Sequence, residues 1–405
     1  MNRETITSAI FNRRMLVALV MGFSCGLPLG LTGSMLQAWM REAGVDLTTI
    51  GLMTLVGLPY ILKFFWAPLF DRYTLPFLGR RRGWLLIAQI ALMAALIQLG
   101  NSNPAAHPEL LAIAALAVAF FSASQDIVVD AYRREDLPDH ELGLGSSLYV
   151  NGYRFSYILG PAAGLILADH ISFSMIYTIM ALCLLPGLVT TLLTPEPQVI
   201  TTPKTLKQAV VDPLKEYFSR SNAFWILAFI LMYKIGDSMA AAMTTPFYLD
   251  IGFTKTQIGA VVKLFGFWAT VGGGLLGGVL MIRLGIVSSL WAFGILQALS
   301  TAGFALLAMI GPSLVGLAGV IAFENLSAGM GTTAYAAYMA SITDKRFTAT
   351  QYALLTSLMG IPRVVASAPT GYLATLMGWE WFFIFCTLIA LPGLLLLLVI
   401  RDGRQ

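Results

Sequence analysis

Apolar runs of bilayer-crossing length recur along the chain, separated by short polar hinges. A membrane helix needs roughly 20 mostly apolar residues. Backbone in lipid must satisfy its own hydrogen bonds, so helices are the natural reading of such runs. The pattern predicts spans near 15–40, 47–70, 83–100, 109–131, 144–168, 171–193, 222–249, 256–282, 286–310, 313–341, 348–377 and 379–400. The hinges GNSNPAAHP, RREDLPDHELG and TDKRF separate neighbours, and Asp169 and His170 mark the turn between the fifth and sixth spans. Residues 194–221 break the rhythm: they are polar and carry Pro195, Pro197, Pro203 and Pro213. Within them TLKQAVVDPLKEYF has the spacing of a short amphipathic helix lying on a membrane surface. The predicted organisation is a six-helix bundle over 1–193, a central cytoplasmic loop over 194–221 and a second six-helix bundle over 222–405.

Composition supports an all-α membrane protein. Of the 405 residues 57% are hydrophobic and 11% charged, whereas a soluble domain carries about a quarter charged residues. The mean hydropathy of +0.77 agrees, so the outer surface is expected to face lipid. The three cysteines (Cys25, Cys183, Cys386) and three histidines (His107, His140, His170) are scattered. They form no CxxC, zinc spacing or disulfide framework, so no metal is expected. The N-terminal MNRETITSAIFNRR leads into apolar sequence without a small-residue cleavage site, so that run is read as the first span and not a signal peptide. There is no Walker loop, HExxH or nucleophile elbow, which argues against an ATP-driven pump or a hydrolase. A membrane enzyme acting on lipid-linked sugars would need acids or histidines clustered at one surface, and the sequence offers no such cluster.

Charge placement sets orientation. With both termini in the cytoplasm, eighteen of the 25 cations fall on the cytoplasmic side and only Arg41 and Lys255 on the other. The remaining five lie inside spans: Lys63, Arg154, Lys234, Lys263 and Arg363. The interior acids are Asp126, Asp237 and Glu324, with Asp130 near the cytoplasmic end of the fourth span. Ionisable groups in a membrane are costly and are functional candidates by default. Lys234 and Asp237, three apart, share a helix face, as do Asp126 and Asp130, four apart, with Gln125 beside them.

Two readings fit these groups. One is a polar cavity between two rocking halves, with Asp126, Asp237 or Glu324 carrying a proton and the cations binding an anionic substrate. A carboxyl sheltered from water holds a proton more readily. The other is a set of static ion pairs that fix helix packing. Gln37, Tyr60, Gln125, Tyr149, Asn151, Tyr233, Asn325 and Tyr335 have the aromatic faces and amides that bind sugars, though packing accounts for most of them equally well. Trp39, at a helix end, also suits an interfacial anchor. VGGGLLGGV in the eighth span and ENLSAGMGTTAYAAYMA in the tenth are rich in small residues, which allow close helix approach and also suit sliding.

Between the second and third spans lies APLFDRYTLPFLGRRRGW. It resembles the Asp-Arg…Gly-Arg-Arg loop of the major facilitator superfamily. An acid at one helix end can pair with cations on the next and lock a conformation, which assigns gating to Asp71, Arg72, Arg80, Arg81 and Arg82, with Asp130. Positive-inside anchoring alone is the plainer reading. The second copy, GGVLMIRLG, keeps Gly278, Arg283 and Gly285 without the acid.

Longer strings carry a closer resemblance. SCGLPLGLTGSMLQAWM, LKFFWAPLFDRY with GRRRGW, FSASQDIVVDAYR, PKTLKQAVVDPLKEYFSRSNA, LMYKIGDS, AFENLSAGMGTTAYAAYM and TATQYALLTSL span nearly the whole chain. Together they resemble the AmpG muropeptide permease family. That resemblance implies the major facilitator fold and proton-coupled uptake of anhydro-muropeptides from periplasm to cytoplasm. These are GlcNAc-anhydroMurNAc sugars with or without peptide. It further implies a role in cell-wall recycling and β-lactamase induction, an inner-membrane monomer with no cofactor beyond the proton gradient, and no nucleic-acid partner. Some family members continue past the position of IRDGRQ with two more hydrophobic segments, which leaves room for a shifted substrate preference. Transport of another organic anion or sugar, or muropeptide sensing without transport, are the alternatives.

Overall fold

The computed structural model describes residues 12–45, 49, 53–198, 203, 205–220, 222–254, 257–367 and 369–402, without the side chains at 41, 54, 363–365 and 401–402. Of the 25 cations, Arg3, Lys204, Lys255 and Arg404 lie outside these residues, as do the side chains of Arg41, Arg363 and Arg401.

The helices follow the predicted rhythm. They are α1 (13–42), α2 (53–72), α3 (Arg80–Gly100), α4 (Pro108–Asp136), α5 (Leu142–Ala168) and α6 (Phe173–Leu193), then α7 (Ala223–Asp250), α8 (Ile258–Leu284), α9 (Ile286–Ile310), α10 (Leu314–Ser341), α11 (348–365 and 370–377) and α12 (379–402). Nine stretches among the described residues are long and apolar enough to cross a membrane. Residues 53–72, 142–168 and 348–365 add three more helical segments, giving the expected twelve. α11 and α12 are joined at Gly378, whose φ of 73° and ψ of 163° are not helical; the boundary is where the apolar pattern placed it. No strand occurs among the described residues. Outward faces are apolar and exposed, as at Ile113, Ile166, Leu193 and Val315, and suit contact with lipid.

Local chemistry explains several helix ends. Thr205 and Gln208 exchange backbone-to-side-chain hydrogen bonds of 3.1 Å each, a capping box that starts a helix over Leu206–Ser219 in the central loop. Thr254 and Gln257 do the same before α8, at 3.0 and 3.2 Å. Two predicted boundaries are corrected. α4 does not stop at 131 but runs to Asp136, because nothing breaks it until Leu137, held extended before Pro138. The RRED of the expected hinge is therefore helical. α3 begins at Arg80, not 83, because Glu196 accepts from the backbone N–H of Arg81 (2.7 Å) and Arg82 (3.1 Å) and caps that first turn.

By contacts the chain divides into two compact units. One comprises Met1–Pro138, Leu148–Pro213 and Thr343–Leu354; the other comprises Asp139–Ser147, Leu214–Ile342 and Leu355–Gln405. Within the first, α1 and α5 approach backbone to backbone: a Cβ on Gly22 or Gly26 would sit 2.1 Å from the Tyr149 or Tyr153 carbonyl oxygen. Within the second, α8 and α10 do likewise, where a Cβ on Gly273 would sit 2.2 Å from the Leu326 oxygen. The glycine-rich string of α8 thus serves close packing at Gly273. Gly272 has open space beside it. Gly273→Ala is expected to lower the melting temperature of the purified protein, with an overpacking cost on the order of 1–3 kcal/mol. Gly272→Ala should leave it unchanged or raise it, since alanine favours helix by about 1 kcal/mol over glycine. Equal melting of the two variants would refute the packing role.

Candidate functional site

Polar groups gather in three places, two in the first unit and one in the second. The first is an ionic cluster at the ends of α2, α3 and α4. Arg81 is fully buried; its Nη2 donates to Asp71 Oδ1 (2.7 Å) and Glu135 Oε1 (2.6 Å), its Nε to Glu135 Oε2 (3.0 Å), and its Nη1 to the Phe70 carbonyl (3.0 Å). Arg80 adds a 2.9 Å pair to Glu135. The Asp71 carboxylate then accepts from the backbone N–H of Ala349 (3.2 Å) and Thr350 (2.8 Å) and from the Thr350 hydroxyl (2.7 Å). Those amides open α11, where the helix dipole favours an anion. Of the predicted gating residues, Asp71, Arg80 and Arg81 come together here. Arg82 instead donates to the Thr191 and Leu192 carbonyls at the end of α6, and Arg72 lies over the Tyr73 ring.

The second place is interior to the first unit. Ser122, Gln125, Asp126 and Asp130 follow one face of α4 and are all buried. Asp130 does not join the gating cluster. It pairs with Arg133 (3.1 Å) and stands 4.0 Å from Lys63. Arg133 also donates to the Tyr352 hydroxyl (2.8 Å), and its guanidinium lies 4.3 Å from the Tyr149 ring centroid. Asp126 lies beside Cys25, which accepts a 3.5 Å bond from Gln125 Nε2. Asp126 Oδ1, Gln125 Oε1, Tyr60 Oη and Ser122 Oγ are buried without a hydrogen-bond partner. Tyr60 faces Ser122 and Asp126 without meeting bonding geometry. Buried polar atoms normally find partners, so this group of donors and acceptors suits a polar ligand or proton.

The third place is in the second unit. Lys234 Nζ donates to Asp237 Oδ2 (3.3 Å) and to Gln297 Oε1 (2.9 Å). Glu324 lies beside Asp237 and accepts from the Ser300 hydroxyl (2.6 Å). One lysine thus serves two carboxyls on α7 and α10.

The other candidates fall elsewhere. Tyr233 and Tyr335 stack on each other at 5.3 Å and donate to the carbonyls of Leu290 (3.0 Å) and Ile230 (2.5 Å), so they pack the core. Asn325 joins α8 to α10 by accepting from Thr270 (3.0 Å), while its amide donates to Ile321 (3.0 Å). Asn151 is buried on α5, Arg154 and Gln37 are half-buried, and Lys263 is exposed on a π-helical turn. Sequence reading missed Glu135, Glu196, Arg133, Thr350, Tyr352, Gln297 and Ser300. Glu135 and Arg133 were legible only if α4 was continued through the charged RRED.

With the fold and these clusters placed, comparison with known proteins decides the family. The family model described as Major Facilitator Superfamily matches residues 18–367. The chain belongs to the Major Facilitator Superfamily. It is 45% identical over 395 residues to the "Anhydromuropeptide permease" of Escherichia coli (strain K12), covering 97% of this chain and 80% of that protein. It is 41% identical over 415 residues to an uncharacterized protein of Haemophilus influenzae, covering 99% and 98%. Among solved structures, the E. coli fucose:proton symporter superposes with a TM-score of 0.73 at 14% identity, over 98% of this chain and all of that one. The superfamily chain is therefore a multi-pass membrane transporter of the AmpG permease group and not an enzyme.

Proposed function

We propose that this transporter imports anhydro-muropeptides from periplasm to cytoplasm across the inner membrane, driven by protons, for cell-wall recycling. The substrate reading is carried by the 45% identity to the E. coli permease across nearly the whole chain. A sugar with attached carboxylates also fits the buried chemistry. Arg133 and Lys63 supply cations, while Gln125, Tyr60 and Ser122 supply uncommitted polar atoms. Alternating access requires that substrate bind the two conformations differently. The Asp71–Arg81–Glu135 cluster, closing on the first turn of α11, is the element we assign to hold one of them. The distribution of cations supports a reading with both termini in the cytoplasm, and we read the halves flanking 194–221 as the bodies that rock.

Labelled GlcNAc-anhydroMurNAc-peptide offered to proteoliposomes tests the reading. Uptake should be saturable, inhibited by unlabelled disaccharide, and raised severalfold when the outside is made acidic. Uptake indifferent to the gradient would remove proton coupling. Absence of any uptake by protein that still melts cooperatively would remove the substrate.

A further inference from the structure

The helix Leu206–Ser219 has three distinct faces. Ala209, Pro213 and Tyr217, spaced four apart, are buried against the protein. Gln208, Asp212 and Lys215 form a polar face. On the remaining face Leu206, Val210, Leu214 and Phe218, again four apart, are 42%, 42%, 38% and 47% exposed. A helix packed on protein beside water needs only two faces. A separate apolar stripe over three turns is the mark of a helix at a lipid surface.

The stripe is continuous with surface that must meet lipid. The Phe218 ring lies 5.6 Å from that of Phe224, which with Trp225 opens α7; both are exposed, at 74% and 50%. Aromatic side chains at the end of a span mark the headgroup level. Lys207, beside the stripe, has a stem long enough to lie along it while its ammonium reaches phosphate.

We propose that Leu206–Ser219 lies in the headgroup region of the leaflet from which α7 departs, with Leu206, Val210, Leu214 and Phe218 in the acyl chains of a phospholipid bilayer. The central loop is then an anchored arm and not a free tether. It bears on α11, since Gln351 Nε2 donates to the Pro213 carbonyl (3.1 Å) one residue beyond Thr350.

The test is collision accessibility of nitroxide labels on the full chain in nanodiscs of phosphatidylethanolamine and phosphatidylglycerol. Cys25 and Cys386 are buried, so Cys183→Ser is the only background change needed. Labels at Val210→Cys and Leu214→Cys should give an oxygen-to-nickel accessibility ratio several-fold above those at Gln208→Cys and Asp212→Cys. Nickel accessibility equal at all four would place the helix in water and overturn the proposal. Shielding of 210 and 214 from both reagents would mean protein covers the stripe and would also overturn it. Should a labelled variant fail to fold, benzoylphenylalanine at 210 in the otherwise wild-type chain should photocrosslink phospholipid. Crosslinks to a second polypeptide would count against the proposal. Neither readout depends on the substrate.

Discussion

Replacing Asp71 with asparagine is expected to cut initial uptake by at least about tenfold, equivalent to ~1.4 kcal/mol of lost bias, and to lower the melting temperature of the purified protein. The carboxylate is fully buried and takes four contacts: Arg81, two backbone amides of α11 and the Thr350 hydroxyl. Removing one member of a buried ion pair commonly costs about 3–5 kcal/mol, because the partner charge stays behind in a poor environment. Here Arg81 keeps Glu135, which tempers the loss, but the amides that open α11 lose the anion that satisfied them. Thr350→Val is the graded companion. It deletes one hydroxyl and leaves both amide bonds to Asp71, so about 1 kcal/mol is expected. Initial rates in proteoliposomes and melting in detergent read both variants. Wild-type uptake and melting in Asp71→Asn would remove the cluster from any account of gating.

That cluster also shows what sequence alone could carry. Asp71 and the three arginines were visible because their spacing around a short loop resembles that of the superfamily. Their partners were not, because each comes from a distant part of the chain. Glu135 is 54 residues from Arg81 and Thr350 is 279 from Asp71. The helices themselves were legible almost throughout, since lipid forces every span to be apolar and long. Even the Gly378 joint was found from pattern. The misjudged ends, α3 and α4, are those where charged residues continue a helix into the ionic cluster. Composition there says loop, while burial by neighbouring helices says core: Arg133 is 3% exposed and Arg81 is 0%. Aromatic candidates fared differently for a similar reason. A tyrosine in a span reads the same whether it meets sugar or, like Tyr335, a neighbouring helix carbonyl.

The interior charges of each unit can be weighed by simple counting, and the outcome separates their roles. In the first unit Lys63 lies near Asp126 and Asp130, Arg133 pairs with Asp130, and Arg154 adds a half-buried third cation, so the cations are not outnumbered by the carboxyls. In the second, among the described side chains, Lys234 alone serves Asp237 and Glu324. A proton on the second pair balances the charge; a proton on the first does not.

Glu324→Gln is therefore expected to abolish accumulation against a gradient while sparing exchange of labelled for unlabelled substrate. The amide keeps the side chain's shape and can still accept from Ser300, so packing should survive. What it loses, under the proposed proton coupling, is the group that would gain and release the proton. One proton moving down about 100 mV supplies ~2.3 kcal/mol, roughly a fifty-fold concentration ratio, and that ratio should collapse to equilibrium. Asp126→Asn should behave otherwise. Its carboxyl sits among uncommitted polar atoms of the first unit, so its loss should raise KM and leave the accumulation ratio intact once substrate is saturating. Paired measurements of accumulation and exchange decide between them. Exchange and accumulation failing together in Glu324→Gln would point to substrate binding and not proton transfer at that residue. Loss of accumulation in Asp126→Asn with exchange preserved would move the proton to the first unit, and the charge count would have misassigned it.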